Sequence, residues 1–426
     1  MTKPIDTGGN PGHLGFMVDT PQKLDAASHA WLRDDSLRRI LLAIKQAGGE
    51  ARIVGGAVRD ALLGREVKEI DLAVNLPPHD VSTILKAAGI KVVPTGIDHG
   101  TITAVVDHRG FEITTLRRDV ETDGRHAKVT FTDDWQADAA RRDFTINALY
   151  VDAGGNLYDY FCGRADLTIG HVRFIGDAET RIREDVLRIL RFFRFSAWFG
   201  RGEADAEGLD ACSKLAELIP QLSVERIWHE IVKLLAADDP ALSWQRMSDC
   251  GVLIQFLQEG ENVPRLRSLL AVEKKYAARA HPLVRLTALL PQDETVAATV
   301  AQRLKVSKRE AARMIALASM PRRLNGKLDP VPFRRALYEY GIDNARDGLL
   351  LLAAEHPALD IESALASAAT WDKPVFPLQG ADLLKLGMPS GPEMGTTLRA
   401  LEDWWIAEDF RPDRAECLAK AQKKLL

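Results

Sequence analysis

The run EIDLAV (69–74) carries Glu69 and Asp71 two residues apart, and FEITTL (111–116) carries Glu112. Both runs read as β-strands, and residues i and i+2 of a strand share one face. Carboxylates gathered in this way repel one another unless a cation compensates them, and Mg²⁺ is the usual cation beside phosphates. Two such ions would activate an attacking hydroxyl and neutralise a leaving pyrophosphate. An acid-x-acid strand alone is more often the solvated face of an edge strand, so its neighbours decide. Gly55-Gly56 falls between the apolar run ARIV (51–54) and a helix start, where bare backbone N–H groups can approach phosphates. Arg59, in the first turn of that helix, would add positive charge. In RRDFTINALY (141–150), Asp143 and Asn147 are four apart and share a face of a helix. A carboxylate and an amide there suit a ribose 2′-hydroxyl. In REDVLRILRFFRF (183–195), Asp185 and Arg188 are three apart, neighbours on a helical face, and Arg191 and Arg194 continue the row. Cytosine and adenine each offer an exocyclic amine beside a ring nitrogen. Asp185 would accept from the amine and Arg188 donate to the nitrogen, whereas uracil and guanine set a carbonyl against the carboxylate. Singly, each feature has a plain alternative: a tight turn, a capped helix, an exposed ion pair of little worth.

These residues need elements to position them. ARIV is a short strand, and the helix after Gly55-Gly56, residues 57–63, is closed by Gly64. Residues 69–74 form a second strand and 81–88 an amphipathic helix. Runs 101–106 and 111–116 flank the turn DHRG (107–110) and read as a hairpin. Residues 117–137 are polar, with Asp123-Gly124 in the middle, and read as a mobile loop. From residue 177 the periodicity becomes helical, over 184–199, 224–236, 240–250, 265–279 and 308–318. Ser223 and Ser307 stand as N-caps. The class is α+β: a small mixed-sheet head followed by an all-helical remainder. At 426 residues, two to four domains are expected.

Composition excludes other classes. Hydrophobic content of 46% with 27% charged residues describes a globular chain rather than a disordered one. No apolar run approaches the roughly 18–20 residues needed to cross a bilayer. Residues 1–27 lack a secretion core or transit pattern, so a cytoplasmic location is expected. Four separated cysteines without a CxxC pair suggest neither zinc site nor disulfide framework. A net charge of −4 leaves room only for a local basic groove. Arg181, Arg183, Arg194, Arg201, Lys305, Lys308 and Arg309 are the candidate phosphate contacts. Trp404 and Trp405 read as buried rather than stacked on a ligand.

Seven stretches appear in one order over residues 51–235: VGGAVRDALLG (54–64), EIDLA (69–73), FEITTLR (111–117), TDGRHAKVTF (122–131), RRDFTINALY (141–150), REDVLRILRFFRF (183–195) and SVERIWHEIVKLL (223–235). As a set they resemble the class II tRNA nucleotidyltransferase and bacterial poly(A) polymerase family. The resemblance implies an N-terminal extension (1–27), a nucleotidyltransferase head (28–176), a helical neck selecting the base (177–238) and a helical body and tail binding tRNA (239–426). It implies template-independent CCA addition with CTP, ATP and two Mg²⁺ ions, tRNA as partner, and neither membrane nor obligate protein partner. Position by position, Glu69, Asp71 and Glu112 match the catalytic carboxylates, Glu69 and Asp71 being the metal ligands. Gly55, Gly56 and Arg59 match the triphosphate site. Arg117 with the flexible Asp123, Gly124 and Arg125 matches the element that reorients the base pocket. Arg142, Asp143 and Asn147 match the ribose segment, Asp185, Arg188 and Arg191 the base template, and Glu225 and Arg226 the brace of the neck. The family's aspartate-x-aspartate is here Glu69-x-Asp71, which keeps the charge on a side chain one methylene longer. The alternatives are a poly(A) polymerase, an A-only tRNA nucleotidyltransferase, or a catalytically impaired RNA-binding relative.

Overall fold

The computed structural model describes residues 23–25, 28–123, 126–278, 281–324, 328 and 330–425. The chain divides into two compact units. The first runs to Asp185 and takes in Arg201–Asp205; the second comprises Val186–Gly200 and Ala206–Leu426.

Among its described residues the first unit is built on nine strands: β1 (Ala51–Val54), β2 (Asp71–Val74), β3 (Lys91–Gly96), β4 (Thr101–Val106), β5 (Arg109–Thr115), β6 (Arg117–Asp123), β7 (His126–Phe131), β8 (Leu149–Val151) and β9 (Leu157–Asp159). Seven form one sheet in the order β3-β4-β5-β2-β1-β8-β9. The β2–β5 pair is parallel and the others antiparallel, which makes the sheet mixed, as expected. Its helices are α1 (Asp35–Gln46), α2 (Gly56–Leu62), α3 (Pro78–Ala87), α4 (Trp135–Ala140), α5 (Gly163–Ile169) and α6 (Ala178–Glu184). Helix α1 buries Leu37, Ile40, Leu41 and Ile44, the apolar stripe of a 3.6-residue period, and Asp34 caps it by accepting from the Leu37 N–H at 3.0 Å. Asp107 and His108 both have positive φ, making the two-residue β4–β5 turn that matches the right-handed twist of a hairpin. The segment 201–205 returns to this unit through the Arg201 N–H to Gly170 carbonyl bond and the His171–Asp205 pair.

Residues 117–137, expected as a loop, instead form, where described, the paired strands β6 and β7 and the first half of α4. Asp123, the last residue of β6, pairs with His126, the first of β7. The expectation overlooked that polar strands still alternate. Gly124 and Arg125 lie outside the described residues.

The second unit is helical among its described residues: α7 (Leu187–Phe199), α8 (Ala206–Lys214), α9 (Val224–Leu235), α10 (Ala241–Asp249), α11 (Val263–Lys275), α12 (Pro282–Leu289), α13 (Glu294–Arg303), α14 (Lys308–Arg323), α15 (Pro330–Tyr340), α16 (Ile342–Glu355), α17 (Glu362–Ala369), α18 (Gly380–Lys385), α19 (Pro392–Ala407) and α20 (Arg414–Leu425), joined by 3-10 turns. One core gathers Leu269, Leu317, Leu337, Leu349 and Leu351, and another Leu383, Leu401, Trp405 and Cys417. Trp405 is therefore buried, as expected. Ser307 caps α14 in a reciprocal box with Glu310, whereas Ser223 precedes α9 without a side-chain bond to it. Among the described residues, no helix is long and apolar enough to cross a membrane.

Candidate active site

Strand register assembles the acidic site. Val54, the last residue of β1, pairs with Asp71, the first of β2, and Asp71 pairs in parallel with Glu112 of β5. Tyr150 of β8 pairs with Val54 on the other side. Residues paired across strands point to the same face, so one row runs Tyr150–Val54–Asp71–Glu112 with two carboxylates at its end. Glu69 lies outside the strand, contrary to the expectation that 69–74 is continuous. β1 ends at Val54 and turns into α2, so no partner residue on that side remains for the chain before Asp71. Glu69 still reaches Asp71 electrostatically. Burial, then Glu112, then Glu69 push the Asp71 carboxyl above the usual aspartate range, and Arg142 opposes them. The side chain nonetheless keeps an exposed edge. Among the described residues, no group of three or more His, Cys, Asp or Glu side chains is close enough to hold a metal ion.

Gly55 follows Val54 directly and sits at φ +69°, ψ −118°, a conformation for glycine. A Cβ there would come within 3.6 Å of the Asn147 carbonyl oxygen and 3.7 Å of Arg142 Nη1. The glycine turn therefore opens α2 next to a guanidinium, beside the carboxylate row. Arg142 is held from behind by Asp138 of α4, which is 1% exposed. Asp138 accepts from Arg142 Nη2 at 3.1 Å, from Arg141 Nη2 at 2.6 Å and from the Tyr150 hydroxyl at 2.8 Å. The Tyr150 hydroxyl accepts in turn from Arg142 Nε at 3.0 Å. Burial raises the Asp138 pKa, but Arg142, Arg141 and Tyr150 together hold it below the ordinary value. Burial likewise pushes Tyr150 up, against Arg142 and with Asp138.

A second chain of bonds orders the Asp143–Asn147 segment. Arg59 grips Asp60 through Nε and Nη2 and donates from Nη1 to Asn147 Oδ1 at 2.7 Å. Asn147 Nδ2 donates to Asp143 Oδ1 at 3.0 Å. The two residues meet, but not on the α-helix expected from their spacing. Helix α4 stops at Ala140, Phe144 is extended and bridged to Phe174, and Thr145–Asn147 is a single 3-10 turn. The bridge to Phe174 draws the backbone out of the helix.

The Poly A polymerase head domain family matches residues 51–173, and the family described as the probable RNA and SrmB- binding site of polymerase A matches 205–263. The mitochondrial CCA tRNA nucleotidyltransferase 1 of Danio rerio is 36% identical over 385 residues, covering 87% of this chain and 86% of the relative. The CCA-adding enzyme of Streptococcus gordonii is 33% identical over 386 residues, covering 89% and 94%. The chain belongs to the CCA-adding tRNA nucleotidyltransferase family. The crystal structure of the Bacillus stearothermophilus CCA-adding enzyme in complex with CTP superposes with a TM-score of 0.70 at 26% identity, over 91% of this chain and 96% of that one.

Against the family's pattern, the head gathers Gly55, Gly56, Arg59, Asp71, Glu112, Arg142, Asp143 and Asn147, with Glu69 close by. Arg117, at the start of β6, donates from its side chain to the His99 carbonyl and from its own N–H to Asp138 at 3.3 Å, the carboxylate that also holds Arg142. Asp123 ends β6. Asp185 is not on a helix with Arg188. Residues 184–199 break there: α6 ends at Glu184, Asp185 is extended at φ −150°, and α7 begins at Leu187. An aspartate just ahead of a helix is favoured by the positive end of its dipole. Arg188 and Arg191 lie on α7. Arg181 and Arg194 are not phosphate contacts. Arg181 is buried, bonded to Glu184 and to the Arg141 and Arg142 carbonyls, and Arg194 pairs with Glu230 at 2.7 Å. Lys305 pairs with Glu225 in full solvent. Sequence reasoning missed Asp138 and Tyr150. Asp138 stands three and four residues before Arg141 and Arg142, an ion-pair spacing on a helix that was available to it.

Proposed function

We propose that this chain adds CCA to tRNA 3′ ends from CTP and ATP, without a nucleic acid template, releasing pyrophosphate at each step. The observation that carries the reading is the row Val54–Asp71–Glu112, which sets two carboxylates beside the Gly55-Gly56 turn in a chain that matches CCA-adding relatives over most of both lengths. The 3′-hydroxyl attacks the α-phosphorus of the incoming nucleotide and the bond to pyrophosphate breaks, with the hydroxyl proton leaving toward the carboxylates. The donors suit a hard cation: all are carboxylate oxygens, and their mutual repulsion falls when a positive charge lies between them. Asp71 and Glu69 would hold Mg²⁺, with Glu112 beside them. Mg²⁺ at phosphate sites takes one or two carboxylates and completes its shell with phosphate and water oxygens. When bound, two ions neutralise the developing charge on attacking and leaving oxygens. Gly56 offers its N–H to the triphosphate, Gly55, whose own N–H is donated to the Leu149 carbonyl, supplies the turn that lets it approach, and Arg59 and Arg142 add charge. Asp143 and Asn147 hold the ribose, Asp185 and Arg188 select cytosine and adenine by amine and ring nitrogen, and Arg191 extends that row. Arg117 and residues 123–125 retune the base pocket between C and A. Exposed Arg183, Arg201, Lys308 and Arg309 meet RNA phosphates. A cytoplasmic location belongs to this proposal.

The matching head family, described as that of poly(A) polymerase, favours a second reading, homopolymer tailing. Purified protein with Mg²⁺ is given tRNA ending before CCA, at CC and at CCA, with each nucleoside triphosphate singly and then together. The expected products are CC from CTP, one A from ATP after CC, and no growth beyond CCA. Long A tails would establish the second reading, A added only after CC an A-only enzyme, and no product with any substrate an impaired relative.

A further inference from the structure

The segment proposed to hold the ribose has no regular element of its own: it is one 3-10 turn between an extended Phe144 and β8. Its shape must come from outside. The Thr145 hydroxyl, on a residue 1% exposed, donates to Asp166 Oδ2 of α5 at 2.5 Å. The same oxygen accepts from Arg173 Nε at 2.8 Å. The Thr145 N–H donates to the Arg173 carbonyl at 3.2 Å, and the Ile175 N–H to the Asp143 carbonyl at 3.2 Å. Gly163, the first residue of α5, lies so close that a Cβ would fall 2.1 Å from the Thr145 carbonyl oxygen. Asp166 is 7% exposed.

We propose that Asp166 is a positioning residue for nucleotide sugar recognition: through the Thr145 hydroxyl it fixes the 3-10 turn that presents Asp143 and Asn147 to the 2′-hydroxyl. The inference rests on the ribose reading of Asp143 and Asn147. The two bonds on Asp166 have separable jobs. Arg173 joins α5 to the strand-like segment 173–175 and serves stability. Thr145 sets the turn and serves selectivity between ribo- and deoxyribonucleotides.

The test uses the full chain, tRNA lacking CCA, and kcat/KM for CTP against dCTP, with thermal unfolding beside it. Thr145→Val is isosteric and removes only the donor. It is expected to lower the ribo/deoxy ratio about tenfold, the size of one lost hydrogen bond, mainly through KM for CTP, with a fall in Tm smaller than that of Asp166→Asn. Thr145→Ser restores the ratio to within about twofold. Asp166→Asn keeps an oxygen for Thr145 while weakening the Arg173 pair, so it lowers Tm and leaves the ratio near that of the parent. The proposal is overturned if Thr145→Val keeps the full ratio while Asp143→Ala lowers it, or if the ratio follows Tm across all variants. If Asp143→Ala leaves the ratio intact, the ribose reading itself fails, and the two failures are told apart by that variant. Should Thr145→Val not fold, Thr145→Ala removes the same donor and carries the same expectation for the ratio, with Thr145→Ser as its rescue; an unchanged ratio in Thr145→Ala beside a lowered one in Asp143→Ala overturns the proposal.

Discussion

Asp71 and Glu69 are chemically alike and structurally different. Asp71 is fixed by ladder bonds to β1 and β5 on both sides, whereas Glu69 hangs from chain outside the sheet. A carboxylate on unpaired backbone can absorb one extra methylene by a small backbone adjustment, which Mg²⁺, strict about geometry, requires of it. Under the proposed metal role, glutamate at this position falls where the backbone best accommodates the longer side chain. Glu69→Asp is expected to change kcat for CMP incorporation by less than about tenfold, about 1.4 kcal/mol in barrier. Asp71→Asn is expected to lose at least about 10³-fold, the scale of removing a group that stabilises developing charge. Steady-state kinetics on tRNA lacking CCA decides both. A large gain in Glu69→Asp would mean the natural site is impaired, and an active Asp71→Asn would remove the metal role from this strand.

At the scale of elements, α4 acts as a clamp on β8. Asp138 satisfies Arg141, Arg142 and the Tyr150 hydroxyl together from a buried position, so removing its charge leaves cations without their partner. Asp138→Asn should destabilise the head by about 3 kcal/mol at neutral pH. The sign with pH follows from the depressed pKa. The unfolded chain takes up the proton first, near pH 3.9, so the stabilisation is full above that pH and is lost as pH falls through the lower folded value. The gap in unfolding free energy between parent and variant should therefore close on acidification, as chemical denaturation from pH 7 to pH 3 would register; a constant gap would refute the assignment. Elements of this kind mark the limit of legibility. β1, the β4–β5 hairpin, Gly64 closing α2 and the α14 capping box were readable because periodicity, turn residues and caps are local. The starts of β2 and α7 and the 3-10 turn at Thr145 were not. The first and the last are decided by partners distant in sequence, the end of β1 and the bridge to Phe174; the break before α7 is local, but an apolar periodicity that runs through it hides it. The candidate site was legible as a list of residues, since charge and glycine are visible in one dimension. Its wiring through Asp138, Tyr150 and Asp166 was not, because buried hydrogen bonds follow tertiary packing.

For the whole molecule, the boundary between units is not a single point in the chain. The backbone leaves the first unit after Asp185, contributes α7 to the second, and comes back for Arg201–Asp205 before leaving again. α7 buries Leu187, Ile189, Leu190, Phe192, Phe193 and Phe195, while the short return is tied by the Arg201 N–H and the His171–Asp205 pair. A chimera with a relative cut once after 205 would carry a foreign α7 into the second unit's core; cut once after 185, it would misfit only the five-residue return. The first should lose more Tm than the second, and a graft exchanging 186–200 together with 206–426 should lose least. Equal losses in a thermal scan would contradict the division. Recombination between homologous genes at one junction therefore cannot swap these modules cleanly; a clean exchange takes three crossovers, after residues 185, 200 and 205.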